Sequence, residues 1–337
     1  GKDSTTSERS LLSGWVMNLW QWVTDKFVDT GKTATTDSNG YYIFSNLLSG
    51  IYQVRETLQA GWANLLSPND ITLDAGESNQ NNNFVNYRVG SITIVKDRDP
   101  NYPEQFNYSG DLGEFDLTDD GGTSNQKTFS NLIPGSYKVV ETPTSETYLD
   151  SIVCSGDSDN GSITTLANNY ITIDLDQGEN ITCTFTNKLK GKIIVQKETI
   201  PDGSTQSFDF TASYDSDGFS LTDGEKNDSG YIRPGSYSVS ETTPTGWTLT
   251  NTSCVSSLGD TETASNLELD AGETITCTFT NTRDTGTITI VKNVIGGNDT
   301  FGFTVSGETG STQTINTNNG NTTGPIVVTT GSYSVSE

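Results

Sequence analysis

The chain has 337 residues, with 18 Lys and Arg against 43 Asp and Glu, a formal net charge of −25, and no histidine. That balance argues against a nucleic-acid partner, because displacing phosphate counterions needs Lys and Arg; the missing histidine removes Ser/His/Asp and Cys/His nucleophilic sites and the commonest zinc ligand. No apolar run has the length of a membrane-spanning helix and no signal peptide is legible, so neither membrane insertion nor an export address is expected of this stretch.

The composition is rich in Thr, Ser, Asn, Gly and β-branched residues, which favours short strands and many turns. In chain order, Gly1 to Arg9 reads as a polar loop. Residues 11–27 are ambiguous: Leu12, Trp15, Leu19 and Trp22 fit a helical spacing, while Trp15, Met17 and Leu19 alternate as a strand does. The segment is read as β, because Thr36 to Phe44 then follows as turn chemistry feeding another strand.

From there a refrain sets in. Strands ending in lysine read Ser91 to Lys96, Lys192 to Lys197 and Thr287 to Lys292. Strands ending in glutamate read Gly50 to Glu56, Gly135 to Glu141, Gly235 to Glu241 and Gly331 to Glu337. Strands ending in asparagine close at Asn86, Asn187 and Asn281. The spacing of roughly 95–100 residues is that of one small β-sandwich. The expected organisation is therefore all-β, a tandem array of Ig-like antiparallel sandwiches: residues 1–89 lacking a first strand, 90–189, 190–284, and 285–337 as the opening part of a further unit. Short joints at 87–90, 188–191 and 282–286 favour a semi-rigid rod.

Strand parity places the polar ends of the refrain. Lys96 shares a face with Ile92 and Ile94, Glu141 with Tyr137 and Val139, and Asn187 with Phe185, so all three point inward. Three readings stand side by side: a buried ion pair with an amide partner, half-exposed strand ends that protect an edge, or a reactive site. In the last, burial favours a neutral lysine amine and a neutral glutamic acid; the amine forms an amide bond with the asparagine side chain, and the acid polarises the carboxamide and shuttles the proton to the departing ammonia.

These three motifs, in order and with this facing, resemble the collagen-adhesin B-type or prealbumin-like (SpaA-type) domains of bacterial surface proteins and pilins. The resemblance implies isopeptide bonds Lys96–Asn187 and Lys197–Asn281, promoted by the catalytic residues Glu141 and Glu241, with Lys292 and Glu337 as members of a further site. The first unit is more similar to B-type repeats of staphylococcal-style surface proteins, through Ser13-Gly-Trp and the Thr36 to Phe44 segment. It departs from the pattern by lacking the lysine strand, which leaves Asn86 without a partner lysine. Free buried thiols are one reading of the four cysteines. The resemblance and the even count favour disulfides Cys154–Cys183 and Cys254–Cys277, and with them an extracellular, cell-surface setting.

No enzyme activity toward a substrate, no zinc site and no cofactor are expected. Calcium is weakly supported, at the acidic loops Asp97 to Asp99, Asp116 to Asp120 and Asp215 to Asp217. Asn107, Asn180, Asn251 and Asn321 open Asn-x-Ser/Thr triplets, which chance alone produces in such a chain. The expected role is a tension-carrying region of a surface fibre, stalk or pilus-like appendage, partnered by copies of itself or further domains of one long polypeptide. The alternatives are an adhesin module taking a host or glycan ligand through its loops, and accessory repeats of a large secreted hydrolase. The strands missing from the first and last units are expected from the same polypeptide in preference to a neighbouring chain.

Overall fold

The computed structural model describes residues 11–122, 124–307, 311–316 and 321–337. The polar loop expected at Gly1 to Arg9 lies outside them. The described residues contain strands, turns and one short 3₁₀ segment, Leu166–Asn168, and no α-helix. They build four hydrophobic clusters. By Cα proximity the chain divides into two compact units, residues 1–144 with 149–187, and residues 145–148 with 188–337.

In the first repeat, strand Val16–Val23 lies between Lys26–Thr35 and Gly50–Glu56, with Ile71–Leu73 at the edge; Trp62–Leu66 pairs with Val85–Arg88 in a second sheet. Trp15, Met17 and Leu19 are buried on one face, which settles the ambiguous segment as a strand with period two. Trp15 meets Trp62 edge to face at 5.5 Å. The turn after Thr36 forms as read, Asp37 Oδ1 accepting from the Asn39 and Tyr41 amides. The expected strand after it does not: residues 41–44 carry no ladder pairing, although Tyr42 and Phe44 pack on the core. In the second repeat the matching segment, Gln126–Leu132, pairs with the lysine strand, and the described residues of the first repeat offer no such partner.

The second repeat is a two-sheet sandwich. One sheet runs Gln126–Leu132, Gly90–Asp99, Asn180–Leu189, Thr147–Ser155; the other runs Ile163–Thr165, Tyr170–Leu175, Gly135–Thr142, Tyr102–Gly110, Phe115–Asp119. Inner faces interdigitate through Ile92, Ile94, Phe106, Ile173 and Phe185, all fully buried. Truncating any of these to alanine costs about 2–5 kcal/mol at such sites. Gly110, at the end of its strand, has φ of +132°, and a Cβ there would sit 2.1 Å from the Lys138 carbonyl oxygen, so only glycine lets the two strands approach.

The third repeat repeats this plan. Lys192–Ile200 and Thr274–Arg283, its first and last strands, are adjacent and parallel, with Lys197 opposite Phe279 and Thr199 opposite Asn281. Its other ladders are antiparallel. In the fourth, Thr285–Ile288 pairs with Ile326–Thr329, and Thr300–Ser306 lies between Ser311–Asn316 and Ser334–Ser336. The strand expected to run through Lys292 ends at Ile288, with one further bridge from Val291 to Thr322.

Both cysteine pairs are disulfides, Cys154–Cys183 and Cys254–Cys277, each joining the last strand to its neighbour in the same sheet. Alkylating the native chain without reductant is expected to label no cysteine, and a labelled thiol would refute this pairing. The bridges close loops of 29 and 23 residues. Reduction is therefore expected to cost about 3–4 kcal/mol per bridge on the chain-entropy model, visible as a lower urea midpoint.

Candidate functional site

Along Gly90–Asp99 every second residue is buried, and Lys96 continues the series of Ile92 and Ile94 with no exposed surface at all. Parity thus carries an amine into the core. Its Nζ donates to Asn187 Oδ1 at 2.7 Å, to the Phe185 carbonyl at 3.0 Å and to the Asp97 carbonyl at 3.1 Å. Glu141 Oε1 stands 3.2 Å away, and the Phe106 ring lies beneath at 4.3 Å. Lysine and asparagine come from adjacent strands of one sheet; the glutamate and the ring come from the opposite sheet.

Lys197 is housed the same way. Its Nζ donates to Asn281 Oδ1 at 2.8 Å and to the Phe279 and Glu198 carbonyls at 3.0 and 2.7 Å, with Glu241 Oε2 at 3.7 Å and the Phe208 ring at 4.2 Å. Burial lowers both lysines below the ordinary amine range, and the nearby glutamate only partly offsets this. Neutral amine is the nucleophilic form.

The two carboxylates are used differently. Glu141 sits on the lysine, and leaves its Oε2 and the Asn187 Nδ2 buried without hydrogen-bond partners. Glu241 sits on the amide nitrogen instead: Asn281 Nδ2 donates to its Oε1 at 2.5 Å. One residue that sequence reasoning did not single out explains the difference in part. Tyr108 is buried opposite Glu141 in the ladder and donates its hydroxyl to Oε1 at 2.9 Å. Burial and that carboxylate push the phenol well above its ordinary range, so it stays a donor. The residue opposite Glu241 is Phe210, which has no hydroxyl to offer. Alternation puts Tyr108 on the inner face, but only the strand pairing reveals which carboxylate it meets.

The other refrain positions are placed as follows. In the first repeat Glu56 accepts from Asn86 Nδ2 at 2.8 Å and from Asn64 Nδ2 at 2.6 Å, and no lysine joins them among the described residues. Lys292 donates to both oxygens of Glu337, at 2.6 and 2.8 Å, in a more exposed setting over the Phe301 ring, with no asparagine side chain attached among the described residues. In each of the three acidic loops considered for calcium, one carboxylate accepts a hydrogen bond from the protein itself. Asp97 accepts from Thr186, Asp119 from the Arg98 amide, and Asp215 from the Asp217 amide.

Among known proteins, a family model described as a prealbumin-like fold domain matches residues 92–189 and again 193–283. A search of curated proteins finds no match. Among solved structures, the Bacillus anthracis TIE protein is 20% identical over 82% of this chain and 49% of its own, with a TM-score of 0.29, so this chain spans about half its length. A streptococcal ancillary pilin is 14% identical, over 83% of this chain and 95% of its own, at TM-score 0.28. The major pilin of Streptococcus pyogenes is 17% identical, over 59% of this chain and 99% of its own, at 0.27. At scores of this size these similarities carry no functional weight.

Tyr108→Phe converts the second site to the composition of the third. A hydrogen bond to a charged acceptor contributes about 1.5–3 kcal/mol. Urea unfolding of the full chain is expected to show a loss in that range with the fold intact, and an unchanged midpoint would show that the hydroxyl does not hold Glu141.

Proposed function

The chain belongs to the prealbumin-like fold domain family, and from that premise we propose that it is a tension-bearing stretch of an extracellular surface fibre or stalk, its second and third repeats closed by Lys–Asn isopeptide bonds. The observation that carries this reading is the buried lysine, glutamate and asparagine brought together at the same place in both repeats.

The chemistry balances without a co-reactant. The neutral amine of Lys96 attacks Asn187 Cγ; a C–N bond forms, the bond from Cγ to Nδ2 breaks, and ammonia leaves. Glutamate takes a proton from the lysine and returns it to the departing nitrogen. The two contacts this requires are the two that Glu141 and Glu241 make, one on the nucleophile and the other on the leaving group. The buried Asn187 Nδ2 without a partner is the atom the reaction removes, which supplies a reason for an otherwise costly orphan.

The mechanical consequence follows from strand order. First and last strands are neighbours and, in the third repeat, parallel, so pulling the two ends shears their ladder. A bond near the far end of that ladder lets force enter at the first strand, cross the side chains and leave along the last. The residues between lysine and asparagine, 91 and 84 positions apart, then stay out of the load path. Copies of the chain or further domains of the same polypeptide are the partners this role needs.

Intact mass of the non-reduced chain is expected to fall short of the sequence value by two molecules of ammonia and the hydrogens of two disulfides. Glu141→Ala and Glu241→Ala should each restore one ammonia while the fold persists. Under single-molecule tension, each linked repeat should fail to release the roughly 300 Å that its enclosed residues would span when extended. A mass equal to the unlinked sequence would overturn the isopeptide reading, and full extension of both repeats would overturn the mechanical one.

A further inference from the structure

The third repeat holds a cluster of three carboxylates that the lysine sites do not use. One oxygen each from Asp260, Glu262 and Glu273 lie within 4.8 Å of one another. Asp260 is exposed, whereas Glu262 and Glu273 are buried, the latter 1% accessible. Among the described residues, none of the three forms an ion pair with Lys or Arg.

Local structure accounts for only part of this. Glu273 closes the turn that begins at Asp270, its Oε2 accepting from the Asp270 amide at 2.6 Å. The second repeat has the same turn, where Glu179 Oε2 accepts from the Asp176 amide at 2.9 Å. There the other oxygen is also occupied, taking the Ser158 amide and hydroxyl at 2.8 and 2.6 Å. In the third repeat it is not. Glu273 Oε1 is buried with no hydrogen-bond partner. Glu262 likewise spends one oxygen, Oε2, on the Glu268 amide at 2.9 Å and has a second to offer. Turn formation thus explains one oxygen of each glutamate, and leaves Glu273 Oε1 buried and unpartnered in a residue whose carboxylate lies close to two others.

We propose that Asp260, Glu262 and Glu273 bind a calcium ion. Ionised carboxylates buried this close together call for a compensating cation, and among the described residues no lysine or arginine pairs with them. The ligands are all hard oxygens, with no sulfur or imidazole, which selects the alkaline-earth ions. Calcium takes about six to eight oxygens in a flexible shell, whereas magnesium demands near-ideal octahedral geometry and gives up water reluctantly. Exposed Asp260 is the point of entry, and water completes the shell. The ion would tie the short strand Thr261–Glu262, in which Glu262 pairs with Cys254, to the turn before the last strand, near the disulfide that joins Trp247–Ser256 to that last strand.

The test is calorimetric titration of the chelator-treated full chain with calcium chloride. Saturable binding of one ion is expected, with Kd of about 10⁻⁴–10⁻³ M as in other extracellular modules. Glu273→Gln keeps the oxygen that caps the turn and is expected to weaken binding at least tenfold. Asp260→Asn, at an exposed position, is expected to weaken it several-fold, and decides the matter if the buried variant fails to fold. Asp217→Asn, an exposed acidic residue elsewhere, should leave binding unchanged. Absence of saturable binding up to about 10 mM, magnesium binding as tightly as calcium, or binding that survives both Glu273→Gln and Asp260→Asn would overturn the proposal. None of these outcomes depends on whether the lysines are linked.

Discussion

Everything in the second and third repeats is arranged around a lysine amine in a hydrophobic core. An unpaired charge there would be prohibitive, and each amine is met by two main-chain carbonyls, an amide oxygen, a carboxylate and an aromatic ring. Those groups come from both sheets. The site therefore exists only when the sandwich is closed in one register, because a shift of one residue would turn the lysine to solvent and an apolar neighbour with it. Burial lowers the amine toward its neutral form, so the feature that makes the site costly is also the one on which the proposed linkage draws.

The adjacency of first and last strands is the second condition. It brings together side chains about ninety positions apart in sequence, an ordering cost that grows only slowly with loop length. The closing strand carries both kinds of constraint on one face: Cys183, Phe185 and Asn187 all point inward, and the first and last of them bind different neighbours. Cys277, Phe279 and Asn281 repeat the pattern.

Two repeats built on one plan nevertheless differ where a single side chain changes. Tyr108 holds Glu141 against the lysine, while Phe210 leaves Glu241 to the amide. Ser158 satisfies Glu179, while the matching oxygen of Glu273 is buried without a partner, in a residue close to two more carboxylates. In each case the backbone is kept and the partner is lost, so the chemistry of the site moves without moving the fold.

Much of this was legible in the sequence because strands have a period of two. Parity alone placed Lys96, Glu141 and Asn187 inside with Ile94, Val139 and Phe185, and the recurrence of the motifs identified the repeats. The same rule resolved Trp15, Met17 and Leu19 as a strand once their burial was known. Pairing lay beyond it. Which strand lies beside which is set by non-local ladders, so the parallel contact of first and last strands, the meeting of Tyr108 with Glu141, and the unpaired segment at residues 41–44 emerged only from the tertiary structure. The acidic sites show the same divide. Runs of Asp drew attention in the sequence, yet Asp97, Asp119 and Asp215 each accept a hydrogen bond from the protein itself. The carboxylates left facing one another, Glu262 and Glu273, are single residues eleven positions apart, and no local pattern could show that folding would bury them side by side.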